Sequence, residues 1–375
     1  MKNKKAIFMT SCDIYDEYGN GGVQGARKNC SLIEEYFGKE NVVKVTFPQI
    51  KDTKAPDNAV TFSRANSNIG KLIAAIMGCK LYYPWKEKGI INFIKKSKVD
   101  FLFLDYSHFG RLAHIEGKHK TVLFYGNVEA DYAWNKVKNE GLQYLPSYFA
   151  SKYNDKCGTK ADKILCLNER DSKRIQKLYG RKADFILNVS FDDCFEENRT
   201  QKEYDREVLF LGSKFGPNEY SVEWFIREVM PYLNDIKLNI VGKGFEEKRE
   251  EYEKNPNVKV IGTVRETAEY YYKHAVVVQP IKYGAGMKVK TAEAMMYGRT
   301  ILASDEALEG YDVDGVKGIF RCNDAKDYIE ILNKLFEGKE LPSYQDEVRN
   351  LFCEKYSTQS LKTSFFEFMD DLFKE

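Results

Sequence analysis

The segment 280–298, Pro280-Ile-Lys-Tyr-Gly284-Ala-Gly286-Met-Lys288-Val-Lys290-Thr-Ala-Glu293-Ala-Met-Met-Tyr-Gly298, holds the residues of this 375-residue chain best suited to chemistry. Gly284 and Gly286 permit positive φ and let a ligand approach bare backbone. Lys288 and Lys290 follow, and then Glu293. The run before them, 275–279 (Ala-Val-Val-Val-Gln), is short, apolar and β-branched, as a strand inside a parallel sheet should be. Pro280 ends it. Residues 287–297 have helical composition and stop at Gly298, a good residue to follow a helix. A helix N-terminus behind a glycine turn presents free N–H groups and the positive end of a dipole, so it favours an anion. The two lysines add full charges. The predicted chemistry is the binding of something phosphorylated.

The elements that must position this turn alternate between strand and helix along the whole chain, which implies parallel sheets covered on both faces. In the first half, strands are predicted over 5–11, 41–46, 101–104, 121–125, 163–167 and 184–187. Helices fit 23–37, 90–96, 147–157 and 169–179, the last with Asn168 as N-cap and Gly180 as its stop. Polarity rises over 191–206, where acids and amides crowd, as in an interdomain linker. A second series follows: strands over 207–211, 237–241, 258–261 and 300–303, with helices over 220–233, 266–272, 325–336 and 361–374. The length favours two domains. Two doubly wound α/β halves facing a cleft are expected, with ligands beyond the carboxyl ends of the strands.

Net charge is only +2, with 58 basic and 56 acidic side chains, which argues against a nucleic-acid binder with a broad basic face. One stretch is unbalanced: from Lys71 to Lys98, seven lysines stand against Glu87 alone, interleaved with Tyr82, Tyr83, Trp85 and Phe93. It reads either as a surface helix with a solvated lysine face or as a peripheral contact with anionic lipid. The eight cysteines form no Cys-x-x-Cys pair, and with four histidines a structural zinc site is not expected. Dispersed cysteines fit a reducing cytosol. The first residues read as a strand rather than a signal peptide, and no apolar run has the length of a membrane span. Asp312-Val-Asp314 is a lone pair of acids without supporting ligands. Gly19, Gly21 and Gln24 do not complete the dinucleotide fingerprint, which weakens a dehydrogenase reading.

Taken in order, the motifs resemble the retaining glycosyltransferases of family 4, which have the GT-B fold of two Rossmann-like domains. In the second half the matching segments are Phe210-Leu-Gly212-Ser-Lys214 with Pro217-Asn218, Ile240-Val-Gly242-Lys-Gly244, Val260-Ile-Gly262-Thr-Val264, the Gly284–Lys290 turn, Glu293-Ala-Met-Met-Tyr-Gly298 and Glu309-Gly310. In the first half, Asn20-Gly21-Gly22-Val-Gln24 is similar to the family's glycine loop and Asn127-Val-Glu129 to its Asn-Val-Glu segment. Ala161-Asp162 to Asp171 resembles the strand before the hinge.

The resemblance implies an acceptor-side domain over 1–190, a linker over 191–206 and a nucleotide-sugar domain over 207–357. A C-terminal helix over 358–375 would cross back to the first domain. It implies a nucleotide-sugar donor, with UDP as the expected nucleotide. Donor contacts would come from Ser213, Lys214, Asn218, Gly244, Val264, Arg265, Gly284, Ala285, Gly286, Met287, Lys288, Lys290 and Glu293. Lys288 and Lys290, with the backbone of Gly286 and Met287, would meet the charge building on the leaving β-phosphate without a metal or other cofactor. Glu293 would accept from ribose hydroxyls, and Val264 and Arg265 would flank the base. A glycan or lipid-linked acceptor would lie near Gly21, Gly22, His108, Asn127 and Glu129. The setting is the cytoplasm, with peripheral contact at the inner membrane face, in bacterial polysaccharide or glycoconjugate synthesis. Two positions depart from the family. Ala285 stands where the first glutamate of its Glu-x7-Glu motif falls, and Gly126 where many relatives have histidine; His108 is the candidate substitute. These departures keep two alternatives open: a non-catalytic partner subunit on the same fold, or a nucleotide-sugar epimerase.

Overall fold

The structure, a computed structural model, describes residues 4–15, 21–47, 59–284, 286–337 and 341–374. The chain divides into two compact units, Met1–Asn188 with Lys362–Glu375, and Val189–Leu361.

The first unit is built on strands β1 (Ala6–Thr10), β2 (Val42–Thr46), β3 (Ala59–Thr61), β4 (Phe101–Asp105), β5 (Lys120–Tyr125), β6 (Lys163–Cys166) and β7 (Phe185–Ile186). Their order in the sheet is β3-β2-β1-β4-β5-β6-β7, and every pairing is parallel. β1 and β4 are buried at every position, as strands covered by helices on both faces must be. Helix Glu169–Tyr179 is capped by Asn168, whose Oδ1 accepts from the Asp171 N–H at 2.8 Å, and ends at Gly180 with φ 81°. Within the last helix, Thr358–Lys374, the part belonging to this unit lays Phe373 against Phe37 and gives Asp370 as acceptor to the Tyr36 hydroxyl at 2.6 Å.

The second unit repeats the plan with β8 (Glu207–Leu211), β9 (Lys237–Val241), β10 (Val258–Gly262), β11 (Val276–Gln279), β12 (Thr300–Ala303) and β13 (Ile319–Arg321), in the order β10-β9-β8-β11-β12-β13, all parallel. In both sheets growth reverses direction after the first three strands. The switch points lie between β1 and β4 and between β8 and β11, where ligands of such sheets bind.

Several elements differ from the sequence reading. β3 and β13 have three residues each, too few to leave a periodic signal. Helices Asn68–Ile76, Glu129–Glu140 and Asp346–Leu351 were not anticipated. The helix expected over 220–233 begins at Gly216, with Pro217 in its first turn, where proline's missing N–H costs nothing. The helix expected from 287 begins at Val289. Among the described residues, no helix is long and apolar enough to cross a membrane.

Candidate active site

At the switch point of the second unit, β8 runs into Gly212 and β9 into Gly242. A side chain on Gly242 would collide with the Gly212 carbonyl, so the two loops touch through bare backbone. The next helix, Gly216–Glu228, carries Asn218 buried in its first turn. The Asn218 amide nitrogen donates to the Ser213 carbonyl at 2.7 Å, which fixes the amide and leaves Oδ1 to accept from Lys290 Nζ at 2.7 Å. The same ammonium lies over the Phe210 ring, 4.7 Å from its centroid. Burial, and then the neighbouring charge of Lys288, pull the Lys290 pKa down to about 7. Lys290 thus faces Gly212 as a poorly solvated cation with one neutral oxygen for a partner.

Gly286 takes a left-handed conformation at φ 66°, Met287 is buried, and Lys288 is the N-cap of helix Val289–Met296. Lys288 Nζ donates to Glu306 Oε1 at 2.6 Å and to the Gly286 carbonyl at 2.7 Å, drawing the turn closed. A side chain on Gly284 would crowd both Lys288 and Glu306 at 3.1 Å. Ala285 lies outside the described residues. Gln279, ending β11, locks the helix start: its amide nitrogen donates to the Lys290 carbonyl at 3.1 Å, and its oxygen accepts from Thr291 at 2.6 Å.

Glu293 lies on the same helix. Its Oε1 accepts from the Thr267 hydroxyl at 2.8 Å and its Oε2 from the Tyr271 hydroxyl at 3.2 Å. Burial raises its pKa, and those two bonds hold it down in part. The loop after β10 carries Val264, half-buried, and Arg265, exposed, and leads directly to Thr267. Lys214 turns another way: its ammonium donates to Glu247 Oε2 at 2.6 Å, and its Cβ sits 3.1 Å from where a side chain on Gly244 would start. The structure therefore gathers Gly212, Asn218, Lys288, Lys290 and Glu293 around one strand-end turn, with Ser213 engaged through its carbonyl. Gln279, Glu306, Thr267 and Tyr271 were missed by the sequence reading. Thr267 lies two residues past Arg265 and Gln279 ends the strand just before Pro280, so both stood beside a motif without being assigned a role.

The first unit has its own polar cluster beyond β1, β4 and β5. The Thr10 hydroxyl donates to Asp105 Oδ2 at 2.7 Å and the Asn29 amide to Oδ1 at 2.9 Å, joining the ends of β1 and β4. Burial pushes Asp105 up to about 6 and Lys28, on the same helix as Asn29, down to about 7. Gly21 and Gly22 form the first turn of that helix, Gly21–Phe37. Glu129 is buried and takes three partners: the Asn127 amide at 2.7 Å on Oε1, with Lys80 Nζ and His108 Nε2, each at 3.3 Å, on Oε2. Burial alone would raise its pKa. The charges of His108 and Lys80 and the bond from Asn127 outweigh that and hold it well below the usual carboxylate range. Lys80 also donates to Ser151. Beside them Asp155 accepts from Ser107 at 2.6 Å and from the Ala130 N–H at 2.9 Å, and burial pushes it up to about 7. His108, Asn127 and Glu129 thus come together as the sequence reading grouped them; Lys80 is the addition. Asp312 and Asp314 each pair with a different cation, Lys355 and Arg321. Among the described residues, no group of three His, Cys, Asp or Glu is arranged to hold a metal ion.

Two like-ordered Rossmann sheets, with a lysine–glycine cradle at the switch point of the second, define a GT-B protein, and the comparisons agree. The model of the family described as glycosyl transferases group 1 matches residues 205–338. Sucrose-phosphate synthase from Thermosynechococcus elongatus superposes with a TM-score of 0.71 at 13% identity, covering 99% of each chain. Anabaena HepE, solved in complex with UDP and glucose, superposes with a TM-score of 0.65 at 11% identity, covering 98% of this chain and 100% of its own. An uncharacterised 44.6 kDa protein of the Klebsiella pneumoniae cps region is 24% identical over 289 residues, 66% of this chain and 73% of that protein. Residues 205–338 thus match a glycosyl transferases group 1 model, and the chain has the GT-B fold.

Proposed function

We propose that this chain transfers a sugar, with retention of configuration, from a UDP-sugar to a glycan or lipid-linked acceptor in bacterial polysaccharide or glycoconjugate synthesis. The observation that carries this reading is the Lys290 ammonium, held by Asn218 against Gly212 on the helix that also bears Glu293. A diphosphate at this turn would meet Lys290, Lys288 and the N–H groups opening the helix, so charge on the leaving β-phosphate is stabilised where it develops. Metal-independent transfer follows naturally from these cations. Glu293 would exchange Thr267 and Tyr271 for ribose hydroxyls, with Val264 and Arg265 beside the base. The glycosidic C–O bond to the β-phosphate breaks and a C–O bond to the acceptor forms on the same face. The acceptor proton passes to the leaving phosphate, so no protein nucleophile is required. Glu129, kept ionised, with His108 and Asn127, would orient acceptor hydroxyls. The cps-region relative supports the polysaccharide setting, and UDP in HepE supports the choice of nucleotide. We place the enzyme in the cytoplasm.

Titration calorimetry with a panel of nucleoside diphosphates tests the donor site. UDP should bind tightest, and Lys290→Ala and Glu293→Ala should each weaken it. No binding of any nucleoside diphosphate, or unchanged binding in both variants, would sink the reading. NMR of the product's anomeric centre then tests retention. One observation favours a second reading: at Gly126, where many relatives carry histidine, the space is filled by the Tyr106 ring. A non-catalytic donor-binding subunit would bind UDP normally and turn over no donor.

A further inference from the structure

Helix Asn68–Ile76 is mounted with its apolar face outward. Its buried residues are Gly70 and Ala74, while Ile69, Leu72, Ile73, Ile76 and the following Met77 are exposed. That spacing is i, i+3, i+4, i+7 and i+8, the stripe a surface helix ordinarily turns to the core. Ile69 is 73% exposed and Ile76 69%. The stripe continues at both ends. Tyr83 reaches over Gly70, and Trp85, 61% exposed, stacks on Tyr83 with ring centroids 4.5 Å apart. At the other end Tyr153 packs on Gly78, and Phe149, one turn earlier on helix Leu145–Gly158, is 61% exposed.

On the helices that carry this stripe and its two extensions, the exposed charges have one sign. On helices Asn68–Ile76, Pro84–Ser97 and Leu145–Gly158, the exposed ionisable side chains are Lys71, Lys86, Lys88, Lys95, Lys96, Lys152 and Lys156. The carboxylates there are Glu87, which pairs with Arg111 at 2.6 Å, and Asp155, which is buried. An apolar stripe with an aromatic anchor, on helices whose exposed charges among the described residues are all lysines, is complementary to anionic headgroups over acyl chains.

We propose that the first unit docks on an anionic lipid bilayer through this face. The isoleucines of helix Asn68–Ile76 enter the headgroup–acyl boundary, Trp85 and Phe149 lie at the interface, and the lysines contact lipid phosphates. The segment following that helix also delivers Lys80 to Glu129 and Ser151. Docking therefore sets the His108–Glu129 cluster next to the lipid surface, where a lipid-linked acceptor would present its sugar. Acceptor presentation rests on the glycosyl-transfer reading; the docking itself does not.

The test is co-sedimentation of the full chain with vesicles of phosphatidylcholine alone and with about one third phosphatidylglycerol. The chain should bind the anionic vesicles more than about tenfold tighter than the neutral ones, and salt should weaken binding. Ile69→Glu with Ile76→Glu should cost at least about tenfold. Lys86→Ala with Lys88→Ala should reduce the preference for anionic lipid. These residues are exposed, so urea midpoints and UDP calorimetry should match the parent chain, which keeps loss of docking distinct from loss of fold or donor binding. The proposal is overturned if the parent chain pellets with neither vesicle, or if the glutamate variant pellets equally well. It is also overturned if lipid-free sedimentation equilibrium shows a dimer that the glutamate variant dissociates, since the stripe would then be a self-contact. Vesicle binding without any nucleotide binding would leave the docking intact and remove the transferase reading.

Discussion

The ring of Tyr106 occupies the space that a side chain on Gly126 would need. Tyr106 takes φ 86° and ψ 144°, a conformation that costs a non-glycine residue roughly 1–3 kcal/mol. Its N–H is tied to the Phe124 carbonyl at 3.0 Å, and its ring lies 5.9 Å from that of His108. Tyr106 and a side chain at 126 therefore exclude each other. Gly126→Ala should destabilise the chain by about 1–3 kcal/mol through overpacking. Tyr106→Ala in the same chain should recover part of that cost, and urea unfolding of the four members of the double-mutant cycle measures the coupling.

Nucleoside diphosphate binding should take up a proton near neutral pH. Lys290 has its pKa lowered to about 7, by burial first and by Lys288 second. A bound diphosphate favours the charged form and raises that pKa. Affinity should be nearly flat below about pH 7 and fall as pH rises above it, by up to about tenfold per pH unit until the bound-state pKa is reached. Calorimetry in buffers of different ionisation enthalpy counts the proton. Lys290→Met should flatten the profile and weaken binding by roughly 2–3 kcal/mol.

Much of the fold was legible because buried parallel strands are short apolar runs. β8, β9 and β12 and helix Ala325–Phe336 lie residue for residue where the sequence reading put them. The lysine–glutamate turn was legible because glycine and charge recur at close spacing. Its supports were not. Glu306 reaches Lys288 across 18 positions, Thr267 reaches Glu293 across 26, and Lys80 reaches Glu129 across 49. Such pairs exist only once the sheet order is set. The helix Asn68–Ile76 does carry helical spacing, in Ile69, Leu72, Ile73 and Ile76, but spacing alone places that stripe in the core, whereas the face that packs is the small one, Gly70 and Ala74.

Glu293→Gln isolates the role of the carboxylate. The amide keeps an oxygen to accept from Thr267, so stability should change by less than about 1.5 kcal/mol. A neutral amide accepts ribose hydroxyls less strongly than a carboxylate, because charge-assisted bonds are about twice as strong. The parent chain should prefer UDP over its 2′- and 3′-deoxy analogues by roughly tenfold or more, and the variant should bind all three more evenly. Competition calorimetry reads the ratio. Equal preference in parent and variant would assign Glu293 to holding Thr267 and Tyr271 alone.

Asp155 makes the first unit's stability depend on pH in a direction opposite to that of an ordinary paired carboxylate. Burial, the dominant cause, raises its pKa from 3.8 to about 7, against the bonds from Ser107 and Ala130. Between about pH 4 and pH 7 the folded chain keeps a proton that the unfolded chain has released. Stability from this group is therefore greatest at the acid end of that window and falls as pH rises, by at most about 1.4 kcal/mol per pH unit. Glu129 works the other way: its pKa is depressed, so its contribution is present above the usual carboxylate range and is lost progressively as pH falls from that range through its lowered value. Asp105, raised to about 6, adds to the Asp155 slope below that pH. The difference between parent and Asp155→Asn, in urea midpoints taken from about pH 5 to pH 8, removes the other groups from the comparison. The parent should lose stability relative to the variant as pH rises to about 7, and the two should then run parallel. A constant difference across the range would mean that Asp155 is already ionised at pH 5, its charge held by Ser107 and the Ala130 N–H.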